Sequence, residues 1–260
     1  TNNHVINNAS KITVITSNQK RYTARLIGSD ARTDVAVLKI DETGLQPAIF
    51  GDSDKLEVGD PAVAIGNPLG QLGGTVTDGI ISALDREIKV QGKSMNLLQT
   101  NAAINPGNSG GGLFNSKGEL IGIVVAKSAG SGVEGLGFAI PSNDAKPVVK
   151  SLMDYGYVKG RVYLGVTMVD IDSVQTAMRY GVDQTGVYVK EVLSGSNAEK
   201  GGMKPGDRIM ALGDKEILTA SQVSAELEAY KVGDTIQVTI TREGTVKTLS
   251  IKIQEYNPQQ

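Results

Sequence analysis

The 260-residue chain has no cysteine and only one histidine. Without cysteine there is neither a disulfide framework nor a thiolate ligand, and one imidazole does not build a structural zinc site. Neither charge is in excess: 26 Lys and Arg stand against 28 Asp and Glu, with a pI near 5.6. That leaves no basic face for nucleic acid and no cationic stripe for a membrane surface. No apolar run reaches the ~18 residues a spanning helix needs, and no signal peptide opens the chain. Helical periodicity is missing from the first 140 residues as well.

Short apolar segments fill that region instead, at 12–16, 22–27, 35–40, 62–65, 75–83, 97–100, 120–126 and 136–140, with turn residues between them. Such spacing predicts an all-β sandwich or barrel. Ser142, Asn143 and Asp144 offer caps for a helix through Val148, Val149, Leu152 and Met153, which Gly156 ends. Residues 156–160 read as a linker. Beyond it, strands are expected at 163–169, 186–192, 208–212, 236–241 and 248–253, with two helical pieces interleaved. The second piece carries a capping box, Thr219-Ala220-Ser221-Gln222, and sets Val223, Leu227 and Tyr230 on one face. Residues 257–260 read as a tail. The length allows two to three units with cores of their own.

Chemistry concentrates in Asn105-Pro106-Gly107-Asn108-Ser109-Gly110-Gly111-Gly112, where a serine stands on a glycine-rich turn between apolar segments. By itself such a turn is ordinary hairpin chemistry. Upstream lie the sole histidine, His4, and Asp34, which opens the apolar run Val35-Ala36-Val37-Leu38. A serine hydroxyl needs a base to take its proton, and the base needs a carboxylate to fix its tautomer. His4, Asp34 and Ser109 are the candidates for those roles. Amides at Gly107 and Ser109 are placed to form an oxyanion hole; the Asn108 amide between them could add to it, and the Asn108 side chain is expected to close the turn.

Several segments in one order carry a resemblance: Thr1-Asn2-Asn3-His4-Val5, Thr33-Asp34-Val35-Ala36-Val37-Leu38-Lys39, Gly66-Asn67-Pro68, the run from Gln99 to Gly111, and Gly137-Phe138-Ala139-Ile140-Pro141. The chain resembles the HtrA/Deg family of serine proteases. The resemblance implies a mainly β fold: a chymotrypsin-like double β-barrel at 1–155 followed by an α+β PDZ domain at 161–256. The family has one or two strands before the histidine, so the first barrel is expected to lack its leading strands, and an export signal or anchor is expected to have preceded them. Two positions depart from the family pattern, Asn101 for an aspartate and Gly112 for a proline.

By the same resemblance, Ile104, Leu136, Gly137 and Phe138 wall the primary specificity pocket, uncharged and suited to small or medium aliphatic residues. Tyr163-Leu164-Gly165-Val166 matches the PDZ carboxylate-binding loop, with a peptide groove beside Val223 and Leu227. Arg86, in the charged loop Leu84-Asp85-Arg86-Glu87, matches the arginine that relays PDZ occupancy. The implied protein is an ATP-independent endoprotease in extracytoplasmic quality control that needs no cofactor and no metal. Its expected partners are unfolded or misfolded substrates, C-terminal peptides at the PDZ domain, and further copies of itself in a homotrimer or higher oligomer. A chaperone or peptide-binding protein with an idle protease site, or a PDZ scaffold on a degenerate barrel, are the alternatives.

Overall fold

A computed structural model describes residues 1–67, 74–90, 93–125 and 135–257; Pro68, Ala126 and the last three residues of the expected tail fall outside them. The chain divides into two compact units, Thr1–Val158 and Lys159–Gln260.

The first unit opens with helix α1 (Asn3–Ile6) and strands β1 (Thr13–Ile15), β2 (Arg21–Thr23), β3 (Arg25–Asp30) and β4 (Val35–Lys39). These pair only as β1 with β2 and β3 with β4, so the described part of the first barrel is two separate antiparallel pieces. Strands β5 (Ile49–Phe50), β6 (Pro61–Gly66), β7 (Thr75–Val90), β8 (Lys93–Thr100), β9 (Gly112–Phe114), β10 (Glu119–Val125) and β11 (Gly137–Pro141) follow, then helix α2 (Ser142–Tyr155). Their sheet runs β11-β8-β7-β6-β9-β10, and β11 pairs again with β10, which closes a six-stranded barrel; β5 adds to β10 in parallel.

Alternation along the strands explains two cores. On β10, Val124 packs with Ala62, Ala64, Ile81 and Leu113 while Ile123 and Val125 meet Val148 and Leu152 of α2, and the register shift between Leu120 and Gly122 brings Ile121 into the first of these cores. A strand covered on both faces reads as one unbroken apolar run, as this one does. Fully burying a side chain of this size stabilises by about 1.5–3 kcal/mol. α2 begins at Ser142 with Pro141 as N-cap and no side-chain cap. The expected capping by Ser142 is absent because its hydroxyl donates to the Gly51 carbonyl (3.0 Å), and Asn143 donates to Asp52 (2.7 Å). Gly156, in the left-handed region at φ 81°, ends the helix with its amide on the Leu152 carbonyl.

The second unit contains β12 (Val162–Tyr163), β13 (Val166–Ile171), α3 (Val174–Tyr180), β14 (Gly186–Val192), α4 (Asn197–Lys200), β15 (Arg208–Leu212), β16 (Lys215–Glu216), α5 (Ala220–Leu227), β17 (Thr235–Arg242), β18 (Thr245–Lys252) and β19 (Gln254–Glu255). Three helical segments thus replace the two expected. The main sheet is ordered β13-β14-β15-β17-β18, so β13 is an edge, and α5 packs beside it with the Ala220 amide on Asp170 Oδ1 (2.7 Å). The capping box on Thr219 and Gln222 is formed. Among the described residues, no helix is long and apolar enough to cross a membrane.

One buried charge pair holds the second unit. Asp207 is fully buried, accepts both Nε (2.6 Å) and a terminal nitrogen (2.8 Å) of Arg242, and also accepts the Lys204 amide. The hydrogen bond to Asp207 raises the affinity of the guanidinium for its proton. Arg242→Leu leaves a buried carboxylate without its counter-ion, so unfolding of the second unit in urea should require about 3–5 kcal/mol less. A loss below about 1 kcal/mol would show that Asp207 is adequately satisfied by backbone amides.

Candidate active site

His4 lies in α1, where Asn2 precedes it in extended conformation and Ile6 plugs the short helix into the core. Asp34 sits just before β4, after a turn in which the Asp30 carboxylate accepts the Thr33 amide (2.8 Å) and its hydroxyl. The backbone at Asp34 is left-handed, φ 56°. His4 then meets Asp34 twice: its amide donates to Oδ1 (2.9 Å) and its Nδ1 lies 2.6 Å from Oδ2. A carboxylate accepts only, so this contact places the proton on Nδ1 and leaves Nε2 as the basic nitrogen. The Asp34 side chain retains 9% of its surface and the imidazole 20%, enough to shelter the pair and keep the ring reachable.

Ser109 stands on the loop between β8 and β9, held at both ends. At the near end, the Asn101 side chain accepts the Ile80 amide (2.7 Å), Thr100 Oγ1 donates to the Ile80 carbonyl (2.8 Å), and the Ala103 carbonyl accepts from Thr77 (3.0 Å) and Asn108 Nδ2 (3.4 Å). At the far end, the Gly110 amide donates to Val124 (2.8 Å) and Val124 donates back to Gly111 (2.8 Å). Gly110 has φ 79°, and a Cβ there would run into Thr1 Oγ1 and come within 2.9 Å of the Asn2 amide nitrogen. The serine's immediate neighbour therefore touches the chain two residues ahead of the histidine. Asn101 serves as a hydrogen-bond acceptor, and the amide oxygen provides that as well as an aspartate oxygen would. Gly112 is explained by packing, since a Cβ would press on the Phe114 ring.

Not every sequence expectation survives. The Asn108 amide is engaged by the Asn105 carbonyl (3.0 Å), so it does not point into an oxyanion hole; the residue is buried and closes the turn. Gly107, the residue before it, has a left-handed backbone at φ 100°. Ile104 and Gly137 come together, a Cβ on Gly137 falling against Ile104, and Leu136 is exposed nearby in sequence. The Phe138 side chain instead packs in the core with Leu97 and Val125, so a pocket would meet only its backbone. Arg86 lies not in a loop but in β7, opposite Leu97, just after a bulge at Asp85 (φ 50°).

In the second unit, Gly165 at φ 91° turns the loop after β12, and its carbonyl accepts the Leu193 amide (2.9 Å). Tyr163 donates to the Val166 carbonyl (3.1 Å) and meets Tyr256 edge to face at 5.1 Å. Burial first, then the neighbouring Tyr256, pushes its phenol pKa up. Leu164, Val166, Val223 and Leu227 are all buried in the core of this unit, so Val223 and Leu227 form the base of the α5 seam rather than an open groove wall. Sequence reasoning missed Thr77 and Asp30, which act through hydrogen bonds that leave no pattern in the sequence.

Family models find the same two modules: a trypsin-like peptidase domain over residues 1–123 and a PDZ domain over 162–253. The class is therefore a trypsin-like peptidase unit joined to a PDZ module. Serine protease Do-like HtrB of Bacillus subtilis is 48% identical over 96% of this chain, and periplasmic serine endoprotease DegP of Salmonella typhimurium is 43% identical over all of this chain. The chain belongs to the HtrA/Deg family of Do-like serine proteases. It spans 57% and 55% of the length of those two relatives. A solved structure of the HtrA-type protease AlgW with a decapeptide matches 99% of this chain and 79% of its own, with 38% identity and a TM-score of 0.66.

The contact between loop and N-terminal segment has a direct test. Gly110→Ala strains a left-handed position, by about 1–2 kcal/mol, and drives a methyl group into Thr1. Labelling by a fluorophosphonate should fall at least about tenfold while the second unit unfolds as in the parent. Parental labelling would show that the two segments can separate without consequence.

Proposed function

We propose that this chain is the protease and PDZ portion of an ATP-independent serine endoprotease that degrades misfolded or signalled polypeptides outside the cytoplasm. The observation that carries the reading is the His4–Asp34 pair beside the loop that presents Ser109. Ser109 Oγ attacks the scissile carbonyl as His4 Nε2 takes its proton, and Asp34 stabilises the imidazolium through Nδ1–H. The tetrahedral oxyanion is received by the amides of Gly107 and Ser109, each worth on the order of 3 kcal/mol in such sites. His4 then protonates the departing amine; water, activated by the same nitrogen, releases the acyl group and restores Ser109.

Ile104 lies where a Cβ on Gly137 would fall, and the proposed wall of Ile104, Leu136 and Gly137 carries no charge, which favours cleavage after Val, Ala or Ile. The edge of β13 and the Gly165 turn suit a peptide C-terminus added as a strand. Relatives named periplasmic, DegP and DegQ, support an extracytoplasmic site of action. Assembly into a homotrimer or higher oligomer, and a relay through Arg86, belong to the same reading by family resemblance.

Casein should be hydrolysed by the parent and not by Ser109→Ala, with new C-termini dominated by small aliphatic residues on mass spectrometry. Retained hydrolysis in the variant would remove Ser109 as nucleophile, and cuts after Lys or Arg would misplace the pocket.

For the second unit, a peptide ending in an apolar residue with a free carboxylate should bind more tightly than its amide, by about tenfold or more in calorimetry. Because Val223 and Leu227 lie in the core, binding that contacts them must open the α5 seam. Equal affinities for acid and amide would refute carboxylate capture.

A further inference from the structure

Asn2 is wholly buried, an unusual place for a side chain with four hydrogen-bonding sites. Its Nδ2 donates to the Asp34 carbonyl at 3.0 Å, and the Asn3 amide donates to the same oxygen at 3.0 Å. A carbonyl accepts, so the side chain must present its NH₂ group there. With the two contacts from His4, three consecutive residues grip Asp34 at its carbonyl and at both carboxylate oxygens. The gripped residue has φ 56°, a backbone state that a non-glycine residue keeps only when its surroundings enforce it.

Two more observations single out Asn2. Its Oδ1 has no hydrogen-bond partner among the described residues. A buried acceptor left unmatched is unfavourable, and an apolar residue of similar volume would avoid the penalty; the donor is therefore what the position retains. The Asn2 backbone also bridges Val35 and faces Gly110, so the residue is wedged between the segment that carries the acid and the loop that carries the serine.

We propose that Asn2 is a positioning residue of the protease site, holding Asp34 in its left-handed conformation and in register with the Ser109 loop, so that the carboxylate stays aligned with His4 Nδ1. The role rests on the protease reading but is exerted on Asp34, and it is measurable without turnover. His4 is the sole histidine, so its ring protons are assigned without ambiguity. Proton NMR of the full chain in the Ser109→Ala background reads the low-field Nδ1 proton, with Asn2→Leu, Asn2→Ala and Asn2→Ser added in turn.

Loss or marked upfield movement of that resonance is expected in the Leu and Ala variants, with recovery in Asn2→Ser, whose hydroxyl can still donate. In the active background, kcat should fall about tenfold or more at nearly constant KM for Leu and Ala, and less for Ser. The idea is overturned if, in any variant that folds without the donor, the resonance is parental and kcat is within about twofold. Should all three fail to fold, Asn2 is structural and the positioning role is likewise rejected. Failure of casein hydrolysis with an intact NMR result would count against the protease reading alone.

Discussion

Four hydrogen bonds from Asn2, Asn3 and His4 converge on one aspartate, and much of the first unit is organised around them. They bind the chain's first residues to the start of β4. Val35, the next residue, is completely buried and packs with Leu97, Phe138 and α2. The grip on Asp34 thus ties the histidine segment to the same core that supports the closed barrel. Two of the four bonds engage a carboxylate shielded from solvent, where charge-assisted contacts are strongest.

The barrel supplies the other half of the site. Closure of β11 onto both β8 and β10 fixes the strand that leads into the serine loop and the strand that holds its far end. That loop has little secondary structure of its own, so its shape comes from borrowed partners: Ile80 and Thr77 on β7, Val124 on β10, and the backbone of Thr1 and Asn2. Rigid strands around an irregular loop are a common way to preorganise a nucleophile and its oxyanion donors. The left-handed backbones at Gly107 and Gly110 make such a path possible, since a side chain at Gly110 would displace the histidine segment.

In the second unit the organising device differs. A capped helix, α5, lies beside an edge strand, with the Gly165 turn at the head of that strand. The Asp207–Arg242 pair draws together the bend before β15 and the end of β17, far in sequence from either.

Local features were legible in the sequence: the Thr219 capping box, the stop at Gly156, and most strand segments depend on neighbours a few residues away. His4, Asp34 and Ser109 could be nominated from residue type and order, because acyl transfer needs a base, an acid partner and an unhindered hydroxyl. Asn108, Phe138, Ser142, Val223 and Leu227 could be named but not oriented. Whether an amide faces a pocket or a carbonyl, or a side chain faces a groove or a core, is decided by partners 3 to 91 positions away. Arg86 looked like a loop residue from its charged neighbours, yet long-range pairing with β8 made it part of a strand. Composition and motif therefore determined which chemistry the chain can perform, and tertiary structure alone decided the geometry, because hydrogen bonds from distant segments set the backbone of Asp34 and the path of the serine loop.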